Sequence, residues 1–388
     1  MIYLDYQATT PLAPQARAAM LPWLDGPAGL IQGAPAGPMS DGAQDAGGYA
    51  NPASPYRAGR AASVAVEMAR DAVAALLPPG GQVYFTSGAT EAINWVFHSQ
   101  SATQSAAQLS APQSWATGLS IEHAATLQCL DLYCPHGGTL PVDAHGIALP
   151  ADPATLPPGG LTAISLVNNE IGTIQPVASF AQAAHAQGGL LLCDAVQGFG
   201  RMEIPDGPDF IAVSAHKIHG PKGIGALWVR NGVPLKPLLV GGGQEMGMRS
   251  GTVSPALVAG FGAAATLAAD RMAADAAHVR ALWAMARAEM ADWTLNGSAD
   301  QRYLGNINLR REGVNATRLL SDARQIAFSL GSACGSGSGR TSHVLRAIGL
   351  SEADSRSSIR LGWGRYTSEQ DLRSGLLAIK QAAAVQGL

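Results

Sequence analysis

The chain has 388 residues, 47% of them hydrophobic and 14% charged, with a formal net charge of -3. That length predicts two domains, and a charged fraction below the usual ~25% predicts a surface rich in Ala, Gly and Ser, much of it buried against a partner subunit. The charge supplies no basic field for nucleic acid, no apolar run approaches the ~20 residues of a membrane span, and the four cysteines (Cys129, Cys134, Cys193, Cys334) are spaced for neither a disulfide framework nor a metal site. With no basic-then-apolar leader at Met1–Tyr6, the expectation is a cytoplasmic protein.

In chain order, Tyr3–Pro11 is a short extended piece that turns into a helix around Pro14–Trp23. Residues 26–50, rich in Gly, Pro, Ala and Ser, form a long loop. A helix follows over Ala58–Leu77, with Val64, Met68, Val73 and Leu76 at helical spacing. Gln82–Ser87 is a strand, and Gly88–Asn94 opens a helix directly after it. Unpaired first-turn N–H groups and the helix dipole make such a junction an anion site, although a Thr at Thr90 also suits a simple cap. Strands at Trp115–Ser120, Leu161–Val167, Leu190–Asp194 and Phe210–Ser214 alternate with helices at His123–Leu132 and Pro176–Gln187. This is the pattern of an α/β domain with a mainly parallel sheet and ligands beyond the strands' carboxyl ends. Gly225–Val229 is a returning strand, Pro255–Trp293 a long Ala-rich helix leading to a smaller α+β unit, and residues 304–366 mix short strands with helices.

The polar residues of interest all fall at those carboxyl ends: Thr90, His123, Asn169, Asp194, Gln197, Ser214, His216 and Lys217. A lysine just beyond a buried strand, among hydroxyl and imidazole groups, can have its pKa lowered enough to attack an aldehyde. If that aldehyde is pyridoxal phosphate, the cofactor needs a phosphate cradle, a carboxylate at its pyridine nitrogen and a group against its ring. Thr90 with the Ala89 backbone, Ser214 and His216 supply the cradle, Asp194 the carboxylate, and His123 the ring contact and a proton carrier. Taken singly, Asp194 reads as a turn residue and His123 as a helix cap.

The residues also carry a family resemblance. Tyr3–Pro11, Asn51–Ser54, Thr86–Glu91, Val167–Gly172, His216–Gly225, Gly241–Thr252, Gly331–Cys334, Ser357–Arg360 and Gly364–Thr367 occur in the order seen in cysteine desulfurases, within the fold-type I, class V aminotransferase group of pyridoxal phosphate enzymes. The resemblance runs nearly end to end. It implies an N-terminal segment (1–25) packing with the small domain, a large cofactor-binding domain (26–252) and a small C-terminal domain (253–388) carrying a mobile cysteine loop. It implies that Lys217 carries the cofactor, that Asp194 and Gln197 contact its pyridine nitrogen and phenolic oxygen, and that Thr90, Ser214 and His216 bind phosphate. Thr252 would bind phosphate from the other subunit of a homodimer, and Asn169 and Arg360 would hold the substrate carboxylate. Cys334, in a loop of almost nothing but Gly and Ser, would take sulfur from L-cysteine as a persulfide, leaving L-alanine, and pass it to an acceptor protein. The pathways implied are iron–sulfur cluster assembly, molybdenum cofactor synthesis and tRNA thiolation.

Some positions depart from the family pattern. Ala215 stands where Gly is common, Gly335–Gly339 is unusually glycine-rich, residues 26–50 resemble an insertion, and the sequence reaches Leu388 without the longer tail used to dock an iron–sulfur scaffold. Two other readings keep some of these residues: an aminotransferase or selenocysteine lyase of the same fold, and a catalytically silent sulfur-carrying relative. Fold alone does not separate them.

Overall fold

A computed structural model of the chain describes residues 1–24, 49–107, 115–135, 137–331 and 341–387. The expected loop over 26–50 falls almost wholly outside these residues, and the Gly/Ser loop with Cys334 lies outside them.

The chain starts with strand β1 (Ile2–Tyr3) and helix α1 (Pro14–Met20), where Pro14 occupies a first-turn position whose N–H has no intrahelical partner. There follow α2 (Arg57–Ala74), β2 (Gly81–Thr86), α3 (Ala89–Ala107), β3 (Ala116–Leu119), α4 (Ala124–Tyr133), β4 (Thr139–Leu140) and β5 (Leu161–Ser165). Next come α5 (Val177–Ala186), β6 (Leu190–Asp194), β7 (Phe210–Ser214) and β8 (Gly225–Arg230). The 35-residue helix α6 (Pro255–Glu289) precedes β9 (Thr294–Leu295), β10 (Asn306–Arg310), α7 (Ala316–Asp322), β11 (Ile326–Ala327) and β12 (Ser329–Leu330). The last elements are α8 (His343–Ala347), α9 (Glu352–Arg356), β13 (Ser358–Gly362) and α10 (Glu369–Ala384).

Seven strands form one sheet in the order β2-β8-β7-β6-β5-β3-β4. Pairings among β3 to β7 are parallel, and β8 lies antiparallel to both β7 and β2. Strands β5 and β7 are buried at every residue, which is why they read as continuous apolar runs rather than alternating ones. Their two faces feed two cores. Cys193, Ile211 and Val213 pack with Phe199 and Phe261 on one side. Leu192, Phe210 and Ala212 pack with Ile93, Trp95 and Phe97 on the other. The expected mainly parallel α/β architecture is the one observed.

A second, antiparallel sheet runs β12-β13-β10-β9. Ile307, Leu309, Ile359 and Leu361 of this sheet share a core with Leu282 of α6 and with Leu372 and Leu376 of α10. Strand β1 pairs in parallel with β11, Ile2 opposite Ile326, so residues 2 and 3 are fixed by residues far along the chain.

Helix α2 differs in detail from its sequence pattern. Val64 and Met68 are 59% and 67% exposed, while Ala62, Val66, Ala69 and Val73 form the buried face. A Cβ on Gly262 of α6 would lie 2.6 Å from the Ala69 Cβ, so the two helices approach through small side chains. Helix α6 ends at Glu289, four residues before the expected Trp293.

Candidate active site

The parallel register brings the carboxyl ends of the central strands to one edge. Ser165 of β5 sits opposite Asp194 of β6, and Asp194 opposite Ala212 of β7. Gly225, where β8 starts, faces both Ser214 and Thr86. A Cβ at Gly225 would meet the Val213 carbonyl at 2.4 Å and the Gly88 Cα at 2.7 Å, so only glycine lets the β2–α3 turn settle against the end of β7. Above this edge lies a cavity of about 630 Å³, within the range of small-molecule and cofactor sites.

Lys217 ends the short 3-10 turn that follows β7. Its Nζ donates to the carbonyls of Gln7 and, at 2.9 Å, Ala8. Burial, then the neighbouring Arg201 and Arg360 guanidinium groups, bring its pKa from 10.5 to about 8, against the pull of Asp194 and Asp5. The turn is clamped by the N-terminal segment. Thr10 N donates to His216 O at 3.0 Å, Thr10 Oγ1 accepts from His219 N at 2.8 Å, and Ala13 N donates to His219 O at 2.9 Å. His219 takes a positive φ of 68°, and its ring packs edge-on against Tyr366 with centroids 4.8 Å apart. A left-handed histidine is held only where its surroundings fix it, and here they fix the turn that presents Lys217.

Asp194 is buried and lines the cavity. Its Oδ1 accepts Val196 N at 3.0 Å. Burial raises its pKa, while His123, the Val196 N–H and Lys217 favour its anion. Glu122 lies behind it, fully buried, with Oε1 accepting Ser165 N at 2.9 Å and Oε2 without a hydrogen-bond partner among the described residues. Burial lifts the Glu122 pKa to about 8 despite the Ser165 N–H, and the charge of Asp194 adds to the rise. At neutral pH Glu122 therefore keeps its proton, while the His123, Val196 N–H and Lys217 contacts of Asp194 work against the burial that raises it. His123 is both things that the sequence suggested. It caps α4, its Nδ1 accepting Ala125 N at 3.1 Å, and it lines the cavity. An accepting Nδ1 places the proton of the neutral ring on Nε2.

Helix α3 begins at Ala89, and its first residues, Ala89 and Thr90, line the same cavity. Ala89 N donates to Ser214 Oγ at 2.9 Å, tying the helix start to the end of β7. His216 also reaches the cavity, with Nδ1 3.1 Å from Thr9 Oγ1. Burial first, then Lys217, Lys222 and Arg201, hold its pKa down at about 4, so it is a neutral hydrogen-bonding ring. Asn169 and Arg360 complete the lining. Arg360, 2% exposed, pairs through Nη2 with Asp5 Oδ1 at 2.8 Å and Ser329 Oγ at 2.9 Å, and through Nη1 with Asn169 O at 3.2 Å.

Of the expected site residues, ten therefore meet at one cavity: Ala89, Thr90, His123, Asn169, Asp194, Gln197, Ser214, His216, Lys217 and Arg360. Thr252 is exposed and does not line it, and Cys334 lies outside the described residues. Residues not singled out from the sequence also belong here. Gln7, Ala8 and Thr9 line the cavity, Asp5 holds Arg360, and Glu122 stands behind Asp194. Their partners lie far along the chain, so no local pattern marks them.

Residues 44–374 match the aminotransferase class-V family. The chain belongs to that family. Among class-V relatives, the cysteine desulfurase IscS of Rickettsia typhi is 36% identical over 392 residues, which cover 96% of this chain and 88% of that protein. A solved NifS-like protein superposes with a TM-score of 0.84 at 26% identity, covering 99% of each chain. A structure of SspA in complex with cysteine superposes with a TM-score of 0.77 at 28% identity, over 95% of this chain and all of that one. The residues of this class-V chain fit pyridoxal phosphate. A part-buried amine of lowered pKa, a buried strand-end carboxylate and an open helix start line a single cavity.

Proposed function

We propose that Lys217 carries pyridoxal phosphate in this cavity and that Cys334 receives sulfur there. The chain is a pyridoxal phosphate-dependent cysteine desulfurase, acting on L-cysteine to mobilise its sulfur. The observation that carries the residue assignment is the meeting, in one cavity, of Lys217 with Asp194, Gln197, Thr90 and Arg360, drawn from positions as distant as 90 and 360.

When bound, the cofactor withdraws electrons from the substrate's α-carbon. The rest is done by the chain. Asp194, whose anion is favoured by His123, the Val196 N–H and Lys217, would support a positive charge at the pyridine nitrogen. Ala89, Thr90, Ser214 and the neutral His216 receive the phosphate at the start of α3, where N–H groups point outward. Arg360 and Asn169 hold the substrate carboxylate, a bidentate task that suits a guanidinium. The Lys217 amine, when free, would take the α-proton. Its pKa near 8 lets it accept and return a proton near neutral pH. His123, with its Nε2 proton, delivers a proton over the cavity. Cys334 attacks as a thiolate on the substrate sulfur. Atoms balance without an oxidant: L-cysteine and the Cys334 thiol become L-alanine and a Cys334 persulfide.

The finer assignments belong to the same proposal. The protein works in the cytoplasm as a homodimer whose second subunit adds Thr252 to each site. The persulfide passes to an acceptor protein serving iron–sulfur cluster, molybdenum cofactor or tRNA-thiolation chemistry. The purified enzyme with L-cysteine and a thiol reductant releases alanine and sulfide in equal amounts. Cys334→Ala removes at least 99% of the sulfide release while keeping the cofactor's visible absorbance; full-rate release by that variant would exclude Cys334.

A further inference from the structure

Arg201 is the residue that ties two of the proposed cofactor contacts together, and this inference rests on the assignment of Lys217 and Gln197 to the cofactor. After Asp194 the chain turns, with Gly198 N donating to Ala195 O at 2.9 Å and Arg201 N to Gly198 O at 2.9 Å. Gly200 has a φ of 66°, and a Cβ there would stand 3.0 Å from both Ile218 Cγ2 and Ala268 Cβ. The backbone just before Arg201 thus lies directly against the Lys217 turn.

The guanidinium makes three contacts with that surrounding. Nη1 donates to Gln197 Oε1 at 2.8 Å and to Gln197 O at 3.2 Å, and Nη2 donates to Lys217 O at 2.6 Å. Its Cζ stands 5.2 Å from the centre of the Tyr303 ring. A guanidinium has donors only, so the oxygen end of the Gln197 amide must face it. The nitrogen end then faces away, where one N–H goes to Gln7 O at 3.1 Å and the other is left for the cavity that Gln197 lines. Reversing the amide would set donor against donor and lose a charge-assisted bond.

We propose that Arg201 is a positioning residue that locks the Gln197 amide as a donor toward the cofactor's phenolic oxygen and couples that amide to the turn carrying Lys217. A lysine in its place keeps a cation, but one ammonium on a flexible stem does not reproduce the planar fork. The charge contributes separately: after burial, Arg201 leads the charges that lower the Lys217 amine.

The test is a pH titration of the visible absorbance of the holoenzyme for the parent, Arg201→Lys, Arg201→Met, Gln197→Ala and the Arg201→Lys/Gln197→Ala pair. A donor to the phenolic oxygen favours its anion, so Gln197→Ala raises the titration midpoint by about one pH unit, a tenfold change in proton affinity. Arg201→Lys reproduces most of that rise, and the double variant moves no further than Gln197→Ala. Arg201→Met rises further because it also loses the charge, and Arg201→Lys carries the test if the Met variant fails to fold. A parental midpoint in Arg201→Lys, or a rise that adds to that of Gln197→Ala, overturns the role given to Arg201. A parent holoenzyme that borohydride labels at a residue other than Lys217 overturns the cofactor assignment and this inference with it.

Discussion

Lys217 sits where its own charge is disfavoured. Burial outweighs its neighbours, and the Arg201 and Arg360 cations add to it, so half of the apo-enzyme's amine is free near pH 8 rather than 10.5. Capture of pyridoxal phosphate by the apo-protein, followed by absorbance, therefore accelerates as pH rises through about 8 and levels off above it. A midpoint near 10 would mean that the pocket does not lower the amine. Glu122 gives the complementary case. It is buried and protonated, so Glu122→Gln retains the acceptor for Ser165 N–H and changes stability by less than about 1 kcal/mol at pH 6.5. Glu122→Ala strands that N–H beside a new cavity and costs about 2 kcal/mol or more, which urea unfolding resolves. Lys217, Asp194 and His123 could be found in the sequence because each stands at an element boundary. Glu122 and Arg201 could not, since a glutamate before a helix cap and an arginine after a Gly-Phe-Gly turn look like ordinary surface residues.

Among the elements, the strands were the most legible. β6 and β7 consist of apolar runs bounded by turn residues, and the structure places them at the residues expected, Leu190–Asp194 and Phe210–Ser214. Helix α2 was legible as a helix but not in its orientation. Its largest apolar residues, Val64 and Met68, face outward because the contact with α6 is made through Ala69 and Gly262. A pattern that weighs side chains by size cannot register a close approach that needs small ones. The N-terminal segment was quoted only as part of a family pattern, yet it supplies the acceptors of Lys217 and the counter-ion of Arg360. Removing that counter-ion leaves a buried guanidinium unpaired. Asp5→Ala is expected to lower stability by about 3 kcal/mol and to weaken the hold on the substrate carboxylate by disordering Arg360. Urea unfolding and the KM for L-cysteine report the two effects; an unchanged midpoint would show that the pair is solvated.

For the whole molecule, opposed sets of buried groups set the pH response. Burial keeps His216 and His219 neutral down to about pH 4, against an ordinary 6.5. Between those values the unfolded chain binds protons that the folded chain refuses, so stability falls as pH drops through that window. Burial does the reverse for Glu122 and Glu170, raising them from 4.5 to about 8 and about 7. The folded chain there keeps protons that the unfolded chain has released, so stability falls as pH rises from 4.5. Above about 6.5 the histidine contribution is spent, and the two glutamates outweigh Lys217, whose amine, lowered from 10.5 to about 8, works the other way as pH rises. Chemical denaturation is expected to give lower stability at pH 8 than at 6.5, and Glu122→Gln to flatten that slope; a parent chain equally stable at both values would count against protonated carboxyl groups in the core.

The clamp made by residues 5–13 also has a consequence for biosynthesis. Gln7 meets Lys217 across 210 positions, and Asp5 meets Arg360 across 355. A ribosome thus releases these first residues long before it makes what they hold, and contacts of such long range form late. Nascent chains halted short of β13 should leave the lysine turn only half secured, so competence to take up the cofactor is reached only after β13 has been made.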